Sequence, residues 1–164
     1  MDIIWEELTS GLPDTRQLIH VLIRLVAATL LGAIIGIQRE RAGKPAGLRT
    51  HMLVTLGTAV FVLACSGVGM SSDALSRVIQ GIITGIGFIG AGSILKLSAE
   101  REVQGLTTAA GIWMTAAVGV AVGLGSLGVA LLSTVFTLII LSFAGRVEHQ
   151  VDERRAEQIE DKNN

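Results

Sequence analysis

Charge is what this sequence has least of. Only 16% of its 164 residues are Asp, Glu, Lys or Arg and 50% are apolar, where a soluble domain carries about a quarter charged. The shortage is uneven: charges crowd into 1–16, 39–49, 96–102 and 146–162, and the runs between hold almost none. Such runs need a nonaqueous solvent, which excludes an ordinary soluble domain. Cysteine is scarce too. Cys65 stands alone inside an apolar run, so an intrachain disulfide is excluded and the thiol reads as a small packing group. Carboxylates are missing from every apolar run, and His20, His51 and His149 fall on separate elements without ligand spacing or a neighbouring nucleophile. No metal site, cofactor or catalytic centre is therefore expected, and the chain reads as a non-enzyme.

What remains is apolar sequence in lengths that suit a bilayer. A spanning helix takes about 20 apolar residues, and five runs qualify, at about 17–37, 51–70, 77–95, 106–125 and 126–144. The alternating pattern of a membrane barrel is absent, so helices must satisfy the backbone in lipid. The expected fold is all-α, a polytopic bundle of five spanning helices. It divides into an outer segment (1–16), a membrane domain (17–145) and a charged cytoplasmic tail (146–164). The first run follows an acidic start and precedes Gln38-Arg39-Glu40-Arg41, which is the pattern of a retained helix rather than a cleaved signal. Five spans put Arg39, Arg41, Lys44, Arg49, Lys96, Arg101, Arg146, Arg154, Arg155 and Lys162 on one side, with only Arg16 and Arg77 on the other. Positive flanks stay in the cytoplasm, so the N-terminus is expected outside and the C-terminus inside.

The third run contains GIGFIG, a literal match to a dinucleotide-binding fingerprint. That loop needs a preceding strand, a water-facing helix start and an acidic residue about 20 positions on; this segment lies inside a spanning run. Its glycines have a membrane reason instead. Lipid supplies no hydrophobic drive between helices, so small residues let backbones approach. Gly32 and Gly36 make one such pair and Gly81 and Gly85 another, with Gly87, Gly90 and Gly92 beyond. These glycine helices are expected in the middle of the bundle, and the Leu-, Ile- and Phe-rich fifth helix at its edge. Five glycines from Gly81 to Gly92 also weaken that helix, and a break exposing carbonyls to a cavity is the sharper alternative to packing.

Arg24 is the polar anomaly. A charge about two turns into a spanning helix costs at least about 2–3 kcal/mol unless partnered. His20 and Arg16 precede it on one helix face, Asp73 is its expected partner, and Gln80 lies a turn or two deeper. Arg24, His20, Asp73 and Gln80 thus form a candidate ion or ligand site on the outer half, with a structural bridge as the competing reading. On the inner side, Gly47, Leu48 and Thr50 recur as Gly105, Leu106 and Thr108 at an offset of 58, pointing to two hairpins of like orientation. Each glycine supports a turn and each threonine can cap the helix that follows. Arg39, Arg49 and Arg101 can pair with Glu40 and Glu102 to tie the hairpins together. With Thr107 these residues make up a cytoplasmic loop motif.

The sequence RLVAATLLGAIIGIQRERAGKPAGLRTHMLVTLGTAVF, then GIITGIGFIGAGSIL, then VQGLTTAAGIWMTAAVGVAVGLG, resembles the membrane domain of MgtC/SapB proteins over about residues 24–145. The matching positions are Arg24, Gly32, Gly36, Arg39, Glu40, residues 46–50, 85–92 and 105–110, and Trp113. The resemblance implies a multi-pass protein of the bacterial inner membrane and a link to adaptation to low Mg²⁺ or to membrane energetics. Longer members carry a soluble C-terminal domain, whereas here a short tail follows the last run, which is nearer the SapB-like form. Mg²⁺ is held through carboxylates in octahedral geometry, and spans without carboxylates argue against conducting it. The expected function is regulation through a membrane partner, within the bilayer and as a homo-oligomer or beside another integral protein, with no nucleic-acid role. The alternative is a transporter or channel with Arg24 lining the path.

Overall fold

The computed structural model describes residues 3–4, 14–67, 69–97 and 102–143. They form five helices, α1 (Thr15–Arg41), α2 (Leu48–Gly67), α3 (Ser72–Gly92), α4 (Leu106–Gly123) and α5 (Leu127–Phe143). The first four are long and apolar enough to cross a membrane. Between α3 and α4 a short antiparallel hairpin pairs β1 (Leu95–Leu97) with β2 (Glu102–Gln104), with Lys96 opposite Val103. That hairpin is an addition to the expected all-α fold, in the stretch where the charges of 96–102 lie, and α3 stops at Gly92 rather than running to 95.

Local chemistry sets the ends. The Asp14 carboxylate accepts the Gln17 N–H at 2.8 Å and Ser71 Oγ accepts that of Ala74 at 3.3 Å, supplying orphan donors at the starts of α1 and α3. Helix α1 carries Arg39 and Arg41 in its last turn, where cations suit the negative end of the helix dipole. Both α2 and α4 begin on the leucine after a repeated glycine, Gly47 or Gly105. Gly105 has φ +95°, and a Cβ there would run into the Ser93 carbonyl, so only glycine fits. The threonines of the repeat do not cap. No side chain caps α4, whereas the Glu40 carboxylate accepts the Leu48 N–H at 2.9 Å and so serves α2 from the preceding helix.

The centre of the bundle is α4. Across its most apolar 18 residues 50% are buried, against 11% in α3. One cluster joins Ala28, Leu31 and Ile35 of α1, Ala59 of α2, Val118 and Val122 of α4, and Ala130 and Leu141 of α5. A second joins Ala46, Ile86, Ile112 and Ala116. In α5, Ala130, Thr134, Thr137 and Leu141 are buried on one stripe while Leu131, Leu132, Phe136, Ile140 and Phe143 are exposed, so this helix lies at the rim.

The glycines divide into two populations. A Cβ on Gly32 would meet Thr55 Oγ1 and lie 2.7 Å from the His51 carbonyl oxygen, and one on Gly36 would lie 2.7 Å from Leu48 Cα. Gly119 faces Thr58 and Thr55, and Gly123 faces Val62 at 2.7 Å. Here α1 and α4 each press backbone against α2. On α3, only Gly90 approaches a neighbour, Ala109, while Gly81, Gly85, Gly87 and Gly92 have nothing within 4 Å. The expectation of α3 in the middle of the bundle does not hold: it is unbroken from Ser72 to Gly92, and the face carrying Gly81, Gly85 and Gly92 meets no other part of the described chain.

This division is measurable. Overpacking costs about 1–3 kcal/mol, a fall of roughly 3–10 °C in Tm for a chain of this size. Gly119→Ala and Gly32→Ala are expected to lower the Tm in detergent by about that much. Gly85→Ala should leave it unchanged or raise it, since alanine is the better helix former.

Candidate functional site

A ladder of buried polar side chains runs through the contact of α1, α2 and α4. Arg39, at the end of α1 and 2% exposed, donates from Nη2 to Thr108 Oγ1 on α4 at 3.1 Å. Below it, His51 and Thr115 are fully buried, with Nδ1 and Oγ1 2.7 Å apart. Thr115 also donates to the Gly111 carbonyl at 2.8 Å. The other ring nitrogen of His51, Nε2, is buried as well. The ladder continues along α2, where Thr55 donates to the His51 carbonyl at 2.5 Å and Thr58 to the Val54 carbonyl at 2.9 Å.

Hydroxyls tolerate this apolar position because each bonds the carbonyl four residues back. Thr29, Ser66, Thr84, Thr134 and Thr137 use the same bond. A satisfied threonine still has lone pairs to offer a neighbouring helix. Gly111, four residues before Thr115, lies beside the imidazole, and a Cβ there would stand in ordinary contact, 3.8 Å from His51 Cε1.

The expected outer site is not assembled. Arg24 donates from Nη1 to the Gly123 carbonyl at 3.0 Å, and its guanidinium lies against Gly125, where a Cβ would clash. It therefore caps the last turn of α4, where a cation is favoured by the dipole and by orphan carbonyls. Among the described residues no ion pair links it to Asp73, and His20, Asp73 and Gln80 are exposed. Helix α3, which carries Asp73 and Gln80, packs on α4 through Ile86 and Gly90, near its other end.

Arg39 ties α1 to α4 through Thr108, and Glu40 supports Leu48 beside Gly47. Arg49 and Thr107 are exposed and Thr50 is half-buried; Arg101 lies outside the described residues. Sequence reasoning missed His51, Thr55, Thr58 and Thr115 as one unit. The signal was present in spacing: 51, 55 and 58 share one face of α2, and 108, 111, 115 and 119 share one face of α4.

The MgtC family profile matches residues 25–150. The chain belongs to the MgtC family. It is 47% identical to SrpB of Synechococcus elongatus over 136 residues, which cover 76% of this chain and 75% of that protein. It is 44% identical to MgtC of Salmonella typhimurium LT2 over 117 residues, 71% of this chain and 49% of MgtC. With YhiD of Escherichia coli K12, provisionally named a magnesium transporter, it shares 41% over 130 residues, 73% and 58% respectively. The chain thus spans about half the length of MgtC and more of SrpB. No solved structure matches it. The family region holds the whole ladder and begins one residue after Arg24.

Three outcomes follow for this MgtC-family chain. Thr115→Val removes the hydroxyl that shares a hydrogen bond with His51 Nδ1 and should cost about 1–3 kcal/mol. The His51→Leu/Thr115→Val pair should cost less than the two singles summed, read as Tm in a double-mutant cycle. Arg24→Ala should raise amide exchange at Leu124, Gly125 and Ser126 by about fivefold, for the loss of about 1 kcal/mol of capping, leaving the middle of α4 protected.

Proposed function

We propose that this chain is a regulatory protein of the bacterial inner membrane, N-terminus outside and C-terminus inside, acting by helix contact with another integral membrane protein or a second copy of itself. The observation that carries this reading is the open face of α3. Gly81 and Gly85 have no neighbour within 4 Å, and Phe88 is 84% exposed beside them. In lipid, small residues at this spacing make helix–helix seams, and elsewhere in this chain they are used for that. The family's association with adaptation to low Mg²⁺ and with membrane energetics is carried over on the same footing.

A transporter is the second reading, favoured by the name of YhiD and by the buried ladder. Against Mg²⁺ as cargo stands the chemistry of the donors: among the described residues no three His, Cys, Asp or Glu side chains gather, and Mg²⁺ relies on carboxylates. Against Arg24 as a path residue stands its bond to the Gly123 carbonyl.

Single cysteines in a Cys65→Ser background separate the two. Gly85→Cys is expected to crosslink to a specific membrane protein or to itself in native membranes, and Gly32→Cys, sealed against α2, is not. Ion flux into proteoliposomes that vanishes in His51→Leu while the fold persists, with no crosslink at Gly85→Cys, would establish the transporter instead.

A further inference from the structure

The far side of α1 from the ladder carries a second feature. An open groove of about 570 Å³ lies between α1 and α5, lined by Ile34, Ile37, Gln38, Arg41, Ala42 and Leu138. Its two ends differ. Ile34 and Ile37, 45% and 39% exposed, face Leu138 and form an apolar channel. Gln38 and Arg41 sit at the end of the helix. Seven residues at 1.5 Å each separate the levels of Ile34 and Arg41 by about 10 Å, the span from the upper acyl region to the headgroups.

The polar end is unsatisfied. Among the described residues the Arg41 guanidinium has no hydrogen bond or ion pair, and Gln38 Oε1 is buried without a partner. Among the described residues no acidic side chain lines the groove. The nearest carboxylate in sequence, Glu40, is turned to the Leu48 N–H on the other side of the helix. A cation over an apolar channel at the end of a spanning helix matches a phosphodiester above an acyl chain.

We propose that this groove binds one anionic phospholipid whose headgroup carries a hydroxyl, phosphatidylglycerol being the simplest. The phosphate lies against Arg41, the Gln38 amide turns its oxygen outward to accept from a headgroup hydroxyl, and one acyl chain runs between Ile34, Ile37 and Leu138. The site is separate from the open face of α3 and does not depend on it.

Native mass spectrometry of the full chain in detergent, titrated with phosphatidylglycerol or phosphatidylcholine, tests this. The wild type should retain a single phosphatidylglycerol in preference to phosphatidylcholine. Arg41→Ala should weaken retention about fivefold, for roughly 1 kcal/mol per basic residue at the surface. Arg41→Lys should keep most of it, Ile34→Trp should block the acyl channel with the charge intact, and Arg49→Ala, exposed outside the groove, should bind as wild type. Circular dichroism and Tm establish that each variant is folded. Equal retention of the two lipids, or Arg41→Ala and Arg49→Ala losing retention alike, would overturn the proposal. So would phosphatidylglycerol binding that appears only after residues 144–164 are removed, because the tail would then be the occupant.

Discussion

Everything in this bundle depends on how closely α1 and α4 can approach α2. In lipid, burying a leucine between helices gains little over leaving it among acyl chains, so association rests on dispersion at short range and on hydrogen bonds. Gly32, Gly36, Gly119 and Gly123 remove the side chains that would hold the backbones apart. Once the backbones are close, threonines fill the seam, and they fill it without leaving a hydroxyl unsatisfied because each bonds its own helix. The polar ladder is thus a product of the glycine contacts. Widen the seam by one methyl and Arg39 no longer reaches Thr108, nor His51 Thr115.

Arg24 shows the same economy in a different place. A spanning helix that ends in a tight turn leaves carbonyls facing a medium that cannot hydrate them. The guanidinium from α1 meets the Gly123 carbonyl and lies against the side-chain-free surface of Gly125, whose φ of +82° makes the turn into α5. A charge that looks expensive in the sequence is offset by the group it caps.

Much of this was legible in the sequence, and the parts that were not share a cause. Run length and charge spacing located all five helices, because bilayer thickness constrains length directly. Gly47 and Gly105 marked the starts of α2 and α4. Neighbours were a different matter. Gly81-x-x-x-Gly85 and Gly32-x-x-x-Gly36 read alike, yet one faces outward and the other presses on Leu48 and Thr55, since spacing gives the face of a helix and not what covers it. Arg24 was assigned a carboxylate because side chains are visible in a sequence and backbone carbonyls are not. Likewise His51 was dismissed for lacking ligand spacing, when its partner was a threonine on another helix, 64 positions away.

The bonds that the ladder's threonines make within their own helices bear on what they offer across the seam. Thr55, Thr58 and Thr115 each bond main-chain carbonyls of their own helices. What they leave free for a neighbouring helix is therefore their lone pairs, a row of acceptors of the kind on which Thr108 holds the Arg39 guanidinium.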